Sequence, residues 1–197
     1  MSHVSSKGVS IYFFWAKSRY VRFSECGRKA ESQFPNPVLM HLQRTVMDQQ
    51  SGTLRGMFDS EERLDLFLAA FEAGVLPKCD WNHAAHLAVA TCYLLSYSEE
   101  ESLTRLRKHI RYLNDCHGTV NSLDSGYHET LTRFWLKILR RFLNTIPDPV
   151  LRLEAVNRVV AGYAQSKNLC AEYYSFDVVK SRKARVSWIP PDLTTFE

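Results

Sequence analysis

The sequence predicts an all-α protein, a single-domain helical bundle of about five to six helices around a central apolar helix at residues 81–97. Helix-start signals recur along the chain, and apolar residues repeat at helical spacing. Glycine and proline, which interrupt helices, are few, with 8 and 7 residues in 197. A 45% apolar and 23% charged composition is that of a globular protein and excludes disordered or fibrous classes.

The amino-terminal segment differs in charge from the rest of the chain. Residues 1–30 hold six basic groups and one acidic group, and the remaining residues hold 19 basic and 20 acidic groups. We therefore expect a basic, loosely attached arm at 1–35 and a helical domain at 36–197 with an extended C-terminal tail. A targeting peptide and a functional basic arm are the alternatives for residues 1–35.

Each of the first helices has its own start signal. Asn36-Pro37 predicts an N-cap followed by a first-turn proline, with a helix to about Gln50. A capping-box pattern, Asp59-x-x-Glu62, predicts the second helix, which should end at Gly74. The residues expected to face inward are Val38, Leu39, Leu42 and Val46 in the first, and Leu64, Phe67, Leu68 and Phe71 in the second.

The later helices have start and end signals of the same kinds. Ser98-x-x-Glu101 is a second capping box, and its helix should end at Gly118. Apolar spacing predicts a helix over 127–143, and Asp148-Pro149 should open the next one. Residues 175–197 should form one short helix and then an extended tail. The expected inward residues are Leu103, Leu106, Ile110, Leu113, Leu131, Phe134, Trp135, Ile138, Phe142, Leu153, Val156, Val160 and Tyr163.

The stretch from 81 to 98 contains no Asp, Glu, Lys or Arg and is apolar on nearly all sides. Its length approaches that of a membrane span, which needs roughly 20 residues. However, it includes Asn82, His83 and His86, and the neighbouring predicted helices are amphipathic. A helix that is apolar all round within such a set is the central one, so we expect no membrane contact.

Three histidines are candidate metal ligands. His83 and His86 are three residues apart on the central helix and point within about 60° of each other. His128 shares a face with Leu131 and Trp135, so it should enter the same core from another helix. Three imidazoles match a catalytic site for a divalent transition metal such as zinc, iron, nickel or manganese. The alternative is that they are core histidines bonded to ordinary protein partners.

Other polar residues near these histidines are candidates for chemistry and binding. Glu129 is a candidate for proton transfer, although Arg133 at i+4 offers it an ordinary ion pair. Tyr127, Arg182 and Arg185 are candidate contacts for a small and possibly anionic substrate. The chain contains no H-E-x-x-H, Glu-x-x-His, P-loop or G-x-S-x-G pattern. No motif therefore supports a zincin metalloprotease, a di-iron protein, an NTPase or a serine hydrolase.

A family resemblance rests on three segments of the chain. It resembles small uncharacterised bacterial proteins at Trp81-Asn-His83-Ala-Ala-His86-Leu87, at Gly126-Tyr127-His128-Glu129-Thr130 and at the tail Ala184-Arg185 with Trp188-Ile-Pro-Pro-Asp192-Leu193. The resemblance covers about residues 60–193 and implies no activity. The predicted arrangement of helices also resembles metal-binding four-helix bundles of the DinB type, although those bundles have a different histidine spacing.

The leading functional hypothesis is a small metal-dependent enzyme, with hydrolysis favoured over oxygen chemistry on iron. The alternative is a non-catalytic helical binding or interaction module. Nucleic-acid binding is the weaker alternative, because the predicted folded body is nearly neutral and only residues 7–29 mix basic and aromatic side chains. Five cysteines without a C-x-x-C spacing favour free thiols and a cytoplasmic location.

Overall fold

A computed structural model describes residues 58–147 and 150–196, and these residues form an all-α bundle without strands. The helices are α1 Glu61–Glu72, α2 His83–Ser96, α3 Glu99–Cys116, α4 Glu129–Asn144, α5 Arg152–Tyr163 and α6 Arg182–Val186, with a 3-10 turn at Leu169–Glu172. The predicted fold class is confirmed. The expected arm at 1–35 and the helix at 36–50 lie outside the described residues. Asp148 and Pro149 also lie outside them, but α5 begins later than this pair predicts, at Arg152 with Leu151 as its N-cap.

Helix α2 is the central element, as its composition predicts. It packs against α3, α4 and α5, and every residue from Leu87 to Leu94 is buried. The two hydroxyls in this run are both satisfied: Thr91 donates to the carbonyl of Leu87 at 2.8 Å, and Tyr93 donates to the carboxylate of Glu72 at 2.8 Å. Asn82 caps the first turn by accepting from the Ala85 N–H.

The two predicted capping boxes have different outcomes. Ser98 caps α3 by accepting from the Glu101 N–H, as predicted. For α1 the predicted cap was wrong by one residue, because Ser60 accepts from the Arg63 N–H and Asp59 pairs with the Arg63 guanidinium at 2.8 Å instead. A serine hydroxyl and an adjacent carboxylate can both cap a helix, and the ion pair decides between them here.

The C-terminal segment packs against α4. Tyr174 is buried, and its hydroxyl donates to the carbonyl of Ile189 at 2.9 Å. Phe134 of α4 contacts the rings of Tyr173, Tyr174 and Phe196. The tail beyond α6 contains neither helix nor strand up to residue 196, and these contacts make it part of a second apolar cluster beside the main core. No helix in the described ranges is both long and apolar enough to cross a membrane.

Two glycines end helices with positive φ and differ in their surroundings. A Cβ at Gly74 would lie 2.6 Å from a ring carbon of Tyr112, whereas a Cβ at Gly118 would meet nothing within 4 Å. We expect Gly118→Ala to cost about 1 kcal/mol of unfolding free energy through φ alone. We expect Gly74→Ala to cost about 1–3 kcal/mol more, because the Tyr112 ring must move. Urea denaturation measures both, and equal losses would contradict the close approach.

Candidate functional site

The candidate site is a cavity of about 490 Å³ between α2, α3, α4 and the C-terminal segment. Its wall brings together five of the predicted site residues from distant parts of the chain, namely His83, His86, Tyr127, His128 and Arg185. Glu129 and Arg182 are not in the wall. The volume falls within the range of known small-molecule sites.

The cavity has a polar mouth and an apolar floor. Asn82, Lys167 and Asn168 are exposed, and they mark the mouth. Ala90 of α2 is buried, and together with the buried side chains of Leu106 and Ile110 from α3 it marks the floor. Asn82 and Ala90 are two turns apart on α2, and His86 lies midway, one turn or about 6 Å inside the mouth.

His86 lies in the cavity wall as a neutral imidazole. Its ring packs on the indole of Trp81 with 3.8 Å between centroids. Burial among apolar atoms and, to a smaller extent, the adjacent His83 together lower the pKa of His86 to about 3. The side chain is half-buried, so it keeps surface in the cavity. Within the described part of the chain, no hydrogen bond to its ring is present.

His83 occupies the first position of α2, nearer the mouth. Its ring meets the indole of Trp135 edge-on at 4.7 Å between centroids. Burial lowers the pKa of His83, although the nearby backbone of Tyr163 favours the charged ring. The Nε2 atom is fully covered and has no hydrogen-bond partner among the described residues. Its imidazole is therefore neutral near neutral pH, and one nitrogen is hidden from the cavity.

His128 is the N-cap of α4 and not a residue within the helix, which corrects the predicted start at Tyr127. Its Nδ1 accepts from the Leu131 N–H at 3.3 Å, so the ring proton is on Nε2 and donates to the carbonyl of Val178 at 3.0 Å. Burial lowers the pKa of His128, and the charge of Arg185 lowers it further. Both ring nitrogens are thus engaged by the backbone.

These contacts bear on the predicted metal centre. His83, His86 and His128 line one cavity, as the helical faces predict. Among residues 58–147 and 150–196, however, no three His, Cys, Asp or Glu side chains form a group that could hold a metal ion. In addition, the Nδ1 lone pair of His128 accepts from the first turn of α4, and its Nε2 proton is donated to Val178. The metal centre on these three histidines stays a prediction.

Glu129 belongs to a buried ionic cluster behind the cavity. Its carboxylate accepts two hydrogen bonds from Arg107, at 2.8 and 2.5 Å, and one from the Tyr127 hydroxyl at 3.0 Å. Arg133 lies 3.0 Å away, the ion pair expected at i+4. Burial alone would raise the pKa of Glu129, but these hydrogen bonds and the two arginines lower it. Its predicted proton-transfer role stays a prediction, and its observed contacts join α3 to α4.

The two predicted substrate arginines occupy different surroundings. Arg182 is exposed and forms two hydrogen bonds to the carboxylate of Asp124, away from the cavity wall. Arg185 lies in the wall and donates to backbone carbonyls, to Gly126 at 3.0 Å and Val179 at 3.4 Å. Carbonyl contacts leave the positive charge of Arg185 without a neutralising carboxylate among the described residues.

Two wall residues were missed from the sequence. Lys167 and Asn168 lie in the loop after α5, and the fold brings this loop to the mouth. One sequence signal points to Lys167, since no acidic residue lies within four positions of it. Isolated basic residues are common on surfaces, so this signal becomes informative only when the fold places Lys167 and Arg185 in the wall of one cavity.

The chain was compared with protein-family models, with curated proteins and with solved structures, and it matches none of them. The resemblance to small bacterial proteins therefore stays an expectation from the quoted segments. Function must be argued from the cavity itself.

Proposed function

We propose that the protein binds a small amphipathic anion, with its acidic group at the mouth of the cavity and its apolar body towards the floor. One observation carries the proposal: the described wall contains two cationic side chains, Lys167 and Arg185, and no carboxylate. A carboxylate or similar anion supplies the missing charge and forms charge-assisted hydrogen bonds with these donors.

The rest of the wall supports an apolar body on this ligand. Leu87, Ala90, Leu106 and Ile110 are apolar and buried, and Trp135 contributes an aromatic surface. The histidines in the wall add little positive charge near neutral pH, because their pKa values are lowered. Apolar walls with few polar groups are typical of sites that bury most of a small ligand and orient it by one charged end.

The test is a binding panel of small aryl and alkyl monocarboxylates, each paired with its uncharged primary amide. Ligand-observed NMR at about millimolar concentration detects weak binding of such fragments. We expect several carboxylates to bind and their amides to bind about tenfold more weakly, since the amides lose the charge-assisted bonds. Equal binding of acids and amides would contradict the proposal.

Matched variants locate the binding. Lys167→Met and Arg185→Gln should each weaken carboxylate binding about fivefold or more, because each removes one cation from the wall. Lys183→Met and Arg182→Gln are the controls, since both residues lie outside the wall. Arg185 also holds backbone carbonyls, so Lys167→Met is the decisive variant if Arg185→Gln fails to fold. Unchanged binding by Lys167→Met would reject the assignment.

A metal-dependent enzyme is the second candidate, favoured by the neutral imidazoles of His83 and His86, which lie one turn apart on α2. A third ligand from His128 requires it to release Leu131 or Val178. Elemental analysis of protein purified without a chelating tag tests this candidate. A stoichiometric transition metal that His86→Ala removes and His109→Ala retains would support it, and metal-free protein unshifted in melting temperature by added metal would reject it.

For location, we propose the cytoplasm. The support is that Cys92 and Cys170 are buried thiols without a disulfide, and that burial raises the pKa of Cys92 to about 12, which keeps this thiol unreactive.

A further inference from the structure

We infer that His86 selects the ligand of this cavity by hydrogen-bonding a hydroxyl or N–H group on its apolar body, one helical turn, or about 6 Å, inside the mouth. The inference rests on the proposed anion-binding function and deepens it to a ligand class. That class is the flat aryl acid with a hydrogen-bonding group opposite its carboxylate, of which a para-hydroxyaryl acetate is the simplest example.

The position of His86 sets the spacing. Lys167 is exposed at the mouth, which Asn82 marks at the start of α2, and Arg185 is half-buried in the same wall. His86 is one helical turn further in, and Ala90 at the floor is one turn beyond it. A rigid ligand anchored at the mouth therefore passes His86 before it reaches the apolar floor. Either the middle or the far end of the ligand forms a hydrogen bond with the His86 imidazole, or the ligand buries this imidazole without a partner.

The environment of His86 sets its chemistry. A neutral imidazole offers one N–H donor and one nitrogen acceptor, and in the described part of the chain neither is used by another protein group. Polar groups in protein interiors are nearly always hydrogen-bonded, so an imidazole in a cavity wall with free capacity indicates a ligand or ordered-solvent contact. The stack on Trp81 fixes the plane of the ring, which gives the contact a defined direction.

The other two histidines of the wall do not offer the same contact. His128 uses both nitrogens for backbone partners. The Nε2 of His83 is covered by neighbouring atoms, which keeps it from a ligand in the cavity. Of the three wall histidines, His86 is therefore the one with neither a covered ring nitrogen nor a ring hydrogen bond among the described residues.

The experiment uses three probes of similar shape: 4-hydroxyphenylacetate, 4-fluorophenylacetate and phenylacetate. Affinities are measured by calorimetry or NMR titration on the full chain and on His86→Phe, which keeps a ring on Trp81 but removes both nitrogens. We expect the full chain to bind the hydroxylated probe about tenfold more tightly than the other two. In His86→Phe the ratio should fall to about one, and His109→Phe, outside the wall, should retain the preference.

The outcomes separate the two proposals. If all three probes bind equally and binding still depends on Lys167, the anion site stands and the role of His86 is wrong. If the preference persists in His86→Phe, another group forms the hydrogen bond with the hydroxyl of the probe, and the inference is equally wrong. If no probe binds, both the ligand class and the inference fail.

A measurement on the unsubstituted chain covers the case in which His86→Phe does not fold. The nitrogen chemical shifts of the His86 imidazole should move on adding 4-hydroxyphenylacetate and stay unchanged on adding phenylacetate at equal occupancy, since only the first forms the hydrogen bond. Equal shifts with both probes would overturn the inference.

Discussion

Phe134→Ala is expected to lower the free energy of unfolding by about 4 kcal/mol, the largest loss from a single truncation that we predict. Phe134 is fully buried and contacts the rings of Trp135, Tyr173 and Phe196. The ring therefore holds the C-terminal segment on α4, and its removal leaves a void between them. Urea denaturation monitored by circular dichroism measures the change.

Phe176→Ala is the matched control, because Phe176 belongs to the same segment, lies two residues after Tyr174 and is exposed. Its truncation should cost about 1 kcal/mol or less. Similar losses for the two variants would show that the C-terminal segment does not depend on the Phe134 ring.

Glu129→Ala is expected to cost about 3 kcal/mol of unfolding free energy. The carboxylate is buried, and its removal leaves the guanidinium groups of Arg107 and Arg133 partly buried without their anion. The loss is at the lower end for buried ion pairs, because both arginine side chains keep about 30% exposure, 33% and 29%. Thermal and urea unfolding at neutral pH measure the effect.

The control for Glu129 is Glu154→Ala. Glu154 pairs with Arg158 at i+4, and both side chains are about half exposed, so the loss should be below about 0.5 kcal/mol. A Glu129→Ala protein as stable as the Glu154→Ala protein would contradict the structural role. Turnover lost from a fully stable Glu129→Gln protein would instead support the proton-transfer role predicted from the sequence.

The sequence determined the fold class because its signals are local. The charge-free run after Trp81 marks the central helix, and Ser98 and Gly118 mark the two ends of α3. Local signals do not fix the exact end of a helix where two adjacent residues can both act as its cap. Asp59 and Ser60 are both good caps, and the ion pair with Arg63 settles the choice. His128 lies within the helix predicted over 127–143, but it serves as the N-cap, and the helix begins at Glu129.

The candidate site was only partly predictable for a different reason. Helical periodicity places His83, His86 and His128 towards one interior, and all three line the cavity. Periodicity does not say which ring nitrogens are already used, and that depends on the distant carbonyl of Val178. Periodicity also does not predict that Lys167 lies at the mouth, because the position of Lys167 depends on the path of the loop after α5.

Filling the cavity tests the central claim most directly. Ala90 lies at the floor, so Ala90→Phe places a ring inside the cavity, whereas Ala161→Phe adds the same ring on the exposed side of α5. The measurement is the affinity of the tightest carboxylate of the panel for both variants, with folding confirmed by circular dichroism. We predict that Ala90→Phe loses binding by more than about tenfold while Ala161→Phe binds as the unsubstituted chain does. Carboxylate binding that is unchanged in a folded Ala90→Phe protein would contradict the account.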